Sequence, residues 1–243
     1  MTEKGQSESS NNIFQILKQE LCDLTINPGE QLQESVVCER FNASRPPVRT
    51  AFQRLSDLGL VDIIPYRGVF SSLLDLDYIY QMIHLRINIE SRIIIDFIDS
   101  HPDPLILEEI EHNIRKQKIL IEKEPVNKTD YFNLDSEMHS IWFKNRRCQD
   151  LWNIIQQQEI HYTRFRILDF VETQKYSEIS GDHEKLLQAI KAEKPETVVP
   201  ILGTHLNGGL RRMGPKVLNE YGSFFKAPQD LDFWKEYNKR YNY

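Results

Sequence analysis

The sequence predicts a mainly α chain in two parts: a head of three short helices closed by a β-hairpin and, behind it, an all-α antiparallel helical bundle. Three observations predict it. Apolar residues recur at three- and four-residue steps through most of the chain, strand-like alternation is confined to residues 60–72, and from Asp77 onward helical segments are separated by proline, glycine and charged clusters. With 243 residues, 40% hydrophobic and 27% charged, the chain can bury two domain cores. No apolar run approaches the ~18 residues of a membrane span. The opening MTEKGQSESSNN lacks the hydrophobic core of a signal peptide, so a cytoplasmic protein with no membrane partner is expected. Cys22, Cys38 and Cys148 are odd in number and form no C-x-x-C, which argues against a disulfide framework or thiolate zinc site and for reduced core thiols.

The head begins with NNIFQILKQELCDL, where Ile13, Phe14, Ile16, Leu17, Leu21 and Leu24 sit at helical spacing before NPGE breaks the chain. QESVVCERFNA gives a second, shorter helix that Asn42 is placed to end. In SRPPVRTAFQRLSDLGL the two prolines stand where a helix has no use for its N–H groups. Ser44 is the N-cap candidate, Val48, Ala51, Phe52, Leu55 and Leu58 form the apolar stripe, and Gly59 is the stop. Arg45 and Arg49, four apart, share a side off that stripe, suited to phosphates and base edges. Two strands follow, Leu60–Ile64 and Val69–Ser72, around a turn at Pro65 and Gly68. This order of elements is a winged helix-turn-helix.

Charge argues against a bulk nucleic-acid footprint. The net charge is −6, and residues 1–75 hold seven Lys/Arg against ten Asp/Glu. What matters is where the cations lie, and Arg40, Arg45, Arg49 and Arg67 fall in the segment that would face a duplex.

The bundle is expected to hold about six helices, over residues 77–98, 103–123, 130–145, 148–171, 180–193 and 195–213. Asp135 and His139, four apart, project from one face of the third. A surface ion pair or a satisfied core histidine explains that pair as well as a site does. His183 and His205 lie eleven residues either side of Lys194. If the last two helices form an antiparallel hairpin there, a rise of ~1.5 Å per residue returns them to nearly one level, unless Pro200 kinks the second arm. Three imidazoles and a carboxylate converging would suit zinc, nickel or manganese, with one or two positions open.

Two resemblances extend this reading. PGEQLQESVVCERFNASRPPVRTAFQRLSDLGLVDIIPYRGVF resembles the DNA-binding segment of the GntR family of bacterial transcription regulators, over about the first 72 residues. It implies that Ser44, Arg45 and Arg49 contact double-stranded operator DNA and that Arg67 and Gly68 sit on the wing tip. Thr50 stands where glutamate is common and Pro46 where a small residue is usual.

From about residue 77 to 212, LRINIE, DSEMH, GDHEKLLQAI and THL resemble the FCD effector domain of many such regulators. The family's metal ligands fall on Asp135, His139, His183 and His205. The resemblance further implies a homodimer and a small carboxylate effector anchored by the metal, with Arg86 and Arg164 or Arg166 lining its pocket. Arg86 has an equal alternative as a surface arginine paired with Glu90, and Arg164 and Arg166, two apart, cannot both face inward. His84, His101, His112 and His161 are read as ordinary histidines. The boundaries drawn are 1–72, 73–220 and an aromatic extension, 221–243, expected to pack on the bundle or on a dimer partner. The competing functions are a metal-dependent hydrolase, for which no H-E-x-x-H or similarly placed base is present, and a dimerisation scaffold with a structural metal.

Overall fold

The computed structural model describes residues 3–123 and 125–241, so Asn242 and Tyr243 of the aromatic extension lie outside the described residues. The head is α1 (Glu3–Cys22), β1 (Gln31–Leu32), α2 (Glu34–Arg40), α3 (Arg45–Asp57), β2 (Val61–Ile64) and β3 (Gly68–Ser71). Pro46 and Pro47 occupy the first turn of α3 after an extended Ser44, whose side chain makes no capping bond. Asn42 and Gly59 take left-handed conformations and end the two helices. Ile13, Leu17 and Leu21 of α1 pack with Val48, Phe52 and Leu55 of α3 in a closed apolar core.

One strand was not anticipated. β1 emerges from the NPGEQLQ break and pairs antiparallel with β3, Gln31 opposite Phe70 and Leu32 opposite Val69, giving the sheet order β1-β3-β2. Two residues are too few to show alternation, so only the partner strand defines it. At the hairpin tip Gly68 has φ +119°, and a Cβ there would sit 2.9 Å from the Gln31 side-chain nitrogen.

The bundle comprises α4 (Leu76–Asp99), α5 (Pro104–Ile121), α6 (Lys128–Asn145), α7 (Gln149–Gln158), α8 (Ile160–Thr173), α9 (Tyr176–Lys191) and α10 (Val198–Asn219). Its core gathers Ile83, Phe97, Trp142, Phe165 and Leu202. The segment expected as one helix over 148–171 is two. The break falls at Glu159, whose backbone leaves helical geometry and whose buried carboxylate turns toward Arg86 at 3.5 Å. Pro200 falls in the first turn of α10, where its missing N–H removes no intrahelical bond, so it does not interrupt the arm.

The extension forms α11 (Leu231–Tyr241). It packs on this chain's own bundle: Phe225 and Trp234 are buried, and the Trp234 indole donates to Asp77 at 2.8 Å. Among the described residues no helix is long and apolar enough to cross a membrane.

Candidate functional site

The head's candidate residues Arg40, Ser44, Arg45, Arg49, Arg67 and Gly68 are all exposed. Arg45 and Arg49 project from the first turns of α3 and share Glu34 of α2, at 3.4 and 2.8 Å. Arg40 pairs with Glu20 of α1. These bonds raise the Arg49 and Arg40 guanidinium pKa values, the hydrogen bond to the carboxylate being the main cause in each case. Arg67 and Gly68 sit at the hairpin tip beside the fully exposed Tyr66, which sequence reasoning did not single out. Its left-handed φ of +63° in a bulky residue was the available signal, invisible without coordinates.

In the bundle, α6 supplies Asp135 and His139, α9 His183 and α10 His205, and one ligand-type atom from each lies within 4.8 Å of the others. The α9–α10 hairpin places the Nε2 atoms of His183 and His205 3.3 Å apart, and His183 Nε2 is 3.3 Å from Asp135 Oδ1. Asp135, His139 and His183 are buried.

A second set of side chains orients these groups. Glu90 of α4 bonds His139 Nδ1, and the Gln117 side-chain oxygen of α5 accepts from His183 Nδ1 at 2.8 Å. With protons on both Nδ1 atoms, the lone pairs of both Nε2 atoms face the cluster. His139 Nε2, His205 Nδ1 and Asp135 Oδ1 are buried with no hydrogen-bond partner. With its proton on Nδ1, His183 presents a lone pair at Nε2 to Asp135 Oδ1 at 3.3 Å; two such acceptors repel, and a cation between them would satisfy both. This donor set fits a divalent metal. Sequence reasoning missed Gln117 altogether and left Arg86 open between an effector contact and a surface pair with Glu90.

Electrostatics agree with a cation-ready centre. Burial lowers the imidazole pKa of His139, opposed by Glu90, and holds His205 well below its usual range with help from the neighbouring histidines, so both are neutral. Burial works to raise Asp135, but Arg166 and the histidines outweigh it and keep the carboxylate ionised.

The three candidate effector arginines separate. Arg166 of α8 bonds Asp135 and lines a cavity of about 20 Å³ with Tyr162, Asp169, His205, Gly209 and Arg212. Arg86 does not line it. It is buried one step behind His139, 3.1 Å from Glu90 and 3.5 Å from Glu159, so it is neither a surface arginine nor a wall of this cavity. Burial opposes its charge, and the two carboxylates more than restore it. Arg164 leaves the cavity altogether because two residues on a helix are about 200° apart. It faces the head, donating to Ser72 and Ser71. His84, His101, His112 and His161 stand outside the cluster.

The pattern described as "Bacterial regulatory proteins, gntR family" matches residues 9–70, and the FCD domain pattern matches residues 81–208, more than half of the chain. The chain belongs to the GntR-family regulators that carry an FCD domain. It is similar to the HTH-type transcriptional repressor RspR of Escherichia coli, with 27% identity over 80% of this chain and 84% of that one. It is similar also to an HTH-type transcriptional regulator of Streptomyces ambofaciens, with 24% identity over 87% and 86%. Among solved structures, a GntR chain from Rhodococcus sp. RHA1 superposes with a TM-score of 0.65 at 20% identity, covering 84% of this chain and 97% of that one. E. coli McbR/YncC gives 0.64 at 18%, covering 88% and 98%. At those identities the likeness concerns the fold. Families and relatives alike are transcription regulators and not enzymes, which leaves the hydrolase reading without support.

Proposed function

We propose that this GntR-family regulator binds a pseudopalindromic operator as a cytoplasmic homodimer, and that its bundle takes one divalent metal and a small carboxylate effector. Ser44, Arg45 and Arg49 would meet base edges and phosphates in the major groove, Arg40 a flanking phosphate, and Arg67 and Gly68 the neighbouring groove. Asp135, His139, His183 and His205 would hold zinc, nickel or manganese. The metal supplies a Lewis-acidic anchor for a carboxylate, and Arg166 adds paired N–H donors beside it. Arg86 serves this site through Glu90 and His139.

The observation that carries the reading is the convergence of four ligand-type atoms within 4.8 Å, two of the imidazoles held from behind. Elemental analysis of untagged protein tests it: about one metal per chain in the wild type and none in His183→Ala. Apoprotein that takes up no zinc, nickel or manganese would sink it.

One observation favours the scaffold reading: a cavity of about 20 Å³ has room for little more than a water. On the effector reading the cavity must open, and the ligand acts by preferring the opened form. A thermal-shift screen of metal-loaded protein against mono- and dicarboxylates separates the two. Stabilisation by an acid supports an effector, and none across the set supports a structural metal.

A further inference from the structure

α8 has two working faces. Tyr162, Arg166 and Asp169 look into the cavity. Ile160, which opens the helix, packs on the apolar core of the head, and one turn later Arg164 reaches the same way. Its Nη1 donates to the Ser72 carbonyl and hydroxyl, both at 2.9 Å, and its Nη2 to the Ser71 hydroxyl at 3.0 Å. The Arg164 side chain is buried; its hydrogen bonds go to serine oxygens, its Nε has no partner, and Asp62 acts on it through space without forming an ion pair among the described residues. A buried guanidinium with no carboxylate in direct contact is an expensive way to fill space. What it provides is a three-point grip with fixed geometry.

The gripped residues form the node where the head's elements meet. The Ser72 hydroxyl donates onward to the Gly59 carbonyl at 2.7 Å, two residues beyond α3. Ser72 N–H donates to Leu60, Ser71 N–H to Glu30, and Ser71 accepts from Gly29 N–H. One bundle side chain therefore holds the end of the recognition helix, the base of the wing and the turn before β1. On the same helix, about 3 Å along its axis, Arg166 bonds Asp135 of the metal-ready cluster.

We propose that Arg164 is the positioning residue that fixes the winged domain on the bundle, and that α8 passes the state of the cavity to it. A cavity this small admits an organic acid only if α8 and α10 part, and a rigid helix that moves Arg166 moves Arg164 as well. A ligand drawing on the Asp135 carboxylate acts on the same helix through Arg166. The grip is independent of the metal reading, whereas the coupling rests on it.

Amide hydrogen exchange on the full chain tests both parts, with Zn²⁺ alone as the probe. Arg164→Met keeps the volume and removes the donors. It should raise exchange at residues 59–72 by roughly ten-fold while leaving α4, α6 and zinc uptake unchanged. Arg164→Lys should restore little, since one ammonium cannot hold three acceptors in that geometry. Ser72→Ala, which keeps the arginine and cuts the link to Gly59, provides the same readout should the methionine variant fold poorly. Wild-type exchange at 59–72 should respond to zinc, and the response should vanish in His183→Ala and in Arg164→Met.

Unchanged exchange at 59–72 in folded Arg164→Met and in Ser72→Ala would overturn the grip. Zinc that protects α8 and α10 but leaves 59–72 unaltered would overturn the coupling and leave the metal site standing. No zinc uptake at all would remove the metal reading and the coupling together, with the grip still decided by the metal-free comparison.

Discussion

The same residue type does opposite work in the head and in the bundle. Arg45 and Arg49 are exposed, with side-chain accessibilities of 73% and 66%, and share one carboxylate; Arg86, at 1%, lies between two buried ones. An exposed pair gains little from its partner and can exchange it for a phosphate at small cost. A buried pair cannot let go, because whichever charge remains is stranded in a low-dielectric interior. The head thus presents arginines ready to change partner, and the bundle uses arginines to hold a centre fixed. On the function proposed above, the difference would also let an acidic chain carry a DNA-reading face, with Glu20 and Glu34 pairing in the free protein with the guanidiniums that phosphates would take.

The sharpest way to break this comparison is to truncate one arginine from each region and measure urea denaturation. Arg86→Ala strands Glu90 and Glu159 and should cost about 3–5 kcal/mol of stability. Arg49→Ala should leave the midpoint where it is. Similar losses in the two variants would mean that burial does not separate their roles.

Acid probes the same contrast with a smaller effect. Burial, aided by the Arg164 and Lys226 charges and opposed by Asp75 and Asp62, takes His161 from 6.5 down to about 4. Burial also lowers His139 and His205. In the window between about 4 and 6.5 His161 binds a proton in the unfolded chain that it does not bind in the folded one, while Glu159, raised by burial, works the other way. The stability that neutral His161 contributes is therefore fully present above 6.5 and is lost as the pH drops through the window. His161→Leu should flatten the slope of the thermal midpoint between pH 6.5 and 4.5, and an unchanged slope would place the acid sensitivity elsewhere. The exposed ion pairs of the head should contribute little there.

How much of this was legible in the sequence follows the range of the interactions involved. α3, its proline start and its glycine stop were readable because capping and periodicity act within a few residues. The approach of His183 to His205 was readable because one hairpin relates them. The break at Glu159 was not, since no proline or glycine marks it and the buried charge its carboxylate faces, Arg86, lies 73 positions earlier. Glu90 behind His139, Gln117 behind His183 and the serines beneath Arg164 join segments 49, 66 and 92 residues apart, and no period in the chain encodes such pairs. What was legible is what a helix does alone. Partners chosen across the bundle were not, and they decided which of Arg86, Arg164 and Arg166 faces the cavity.

The smallest expected effect bears most directly on the exposed half of the comparison. If Glu34 holds the place of a phosphate, removing its charge should leave Arg45 and Arg49 better donors to DNA without touching the fold. Arg49→Ala should weaken operator binding roughly 5- to 100-fold, as loss of a groove contact does. Glu34→Gln should instead strengthen binding by a few-fold, and equally so for operator and unrelated duplex, because it adds long-range attraction and no base contact. Titrations at two salt concentrations distinguish this from a structural change: the gain should shrink as salt rises, since it is electrostatic. Weaker binding by Glu34→Gln would mean that the glutamate aligns the arginines for the groove. Its bonds to both guanidiniums would then belong to the bound state as well as the free one.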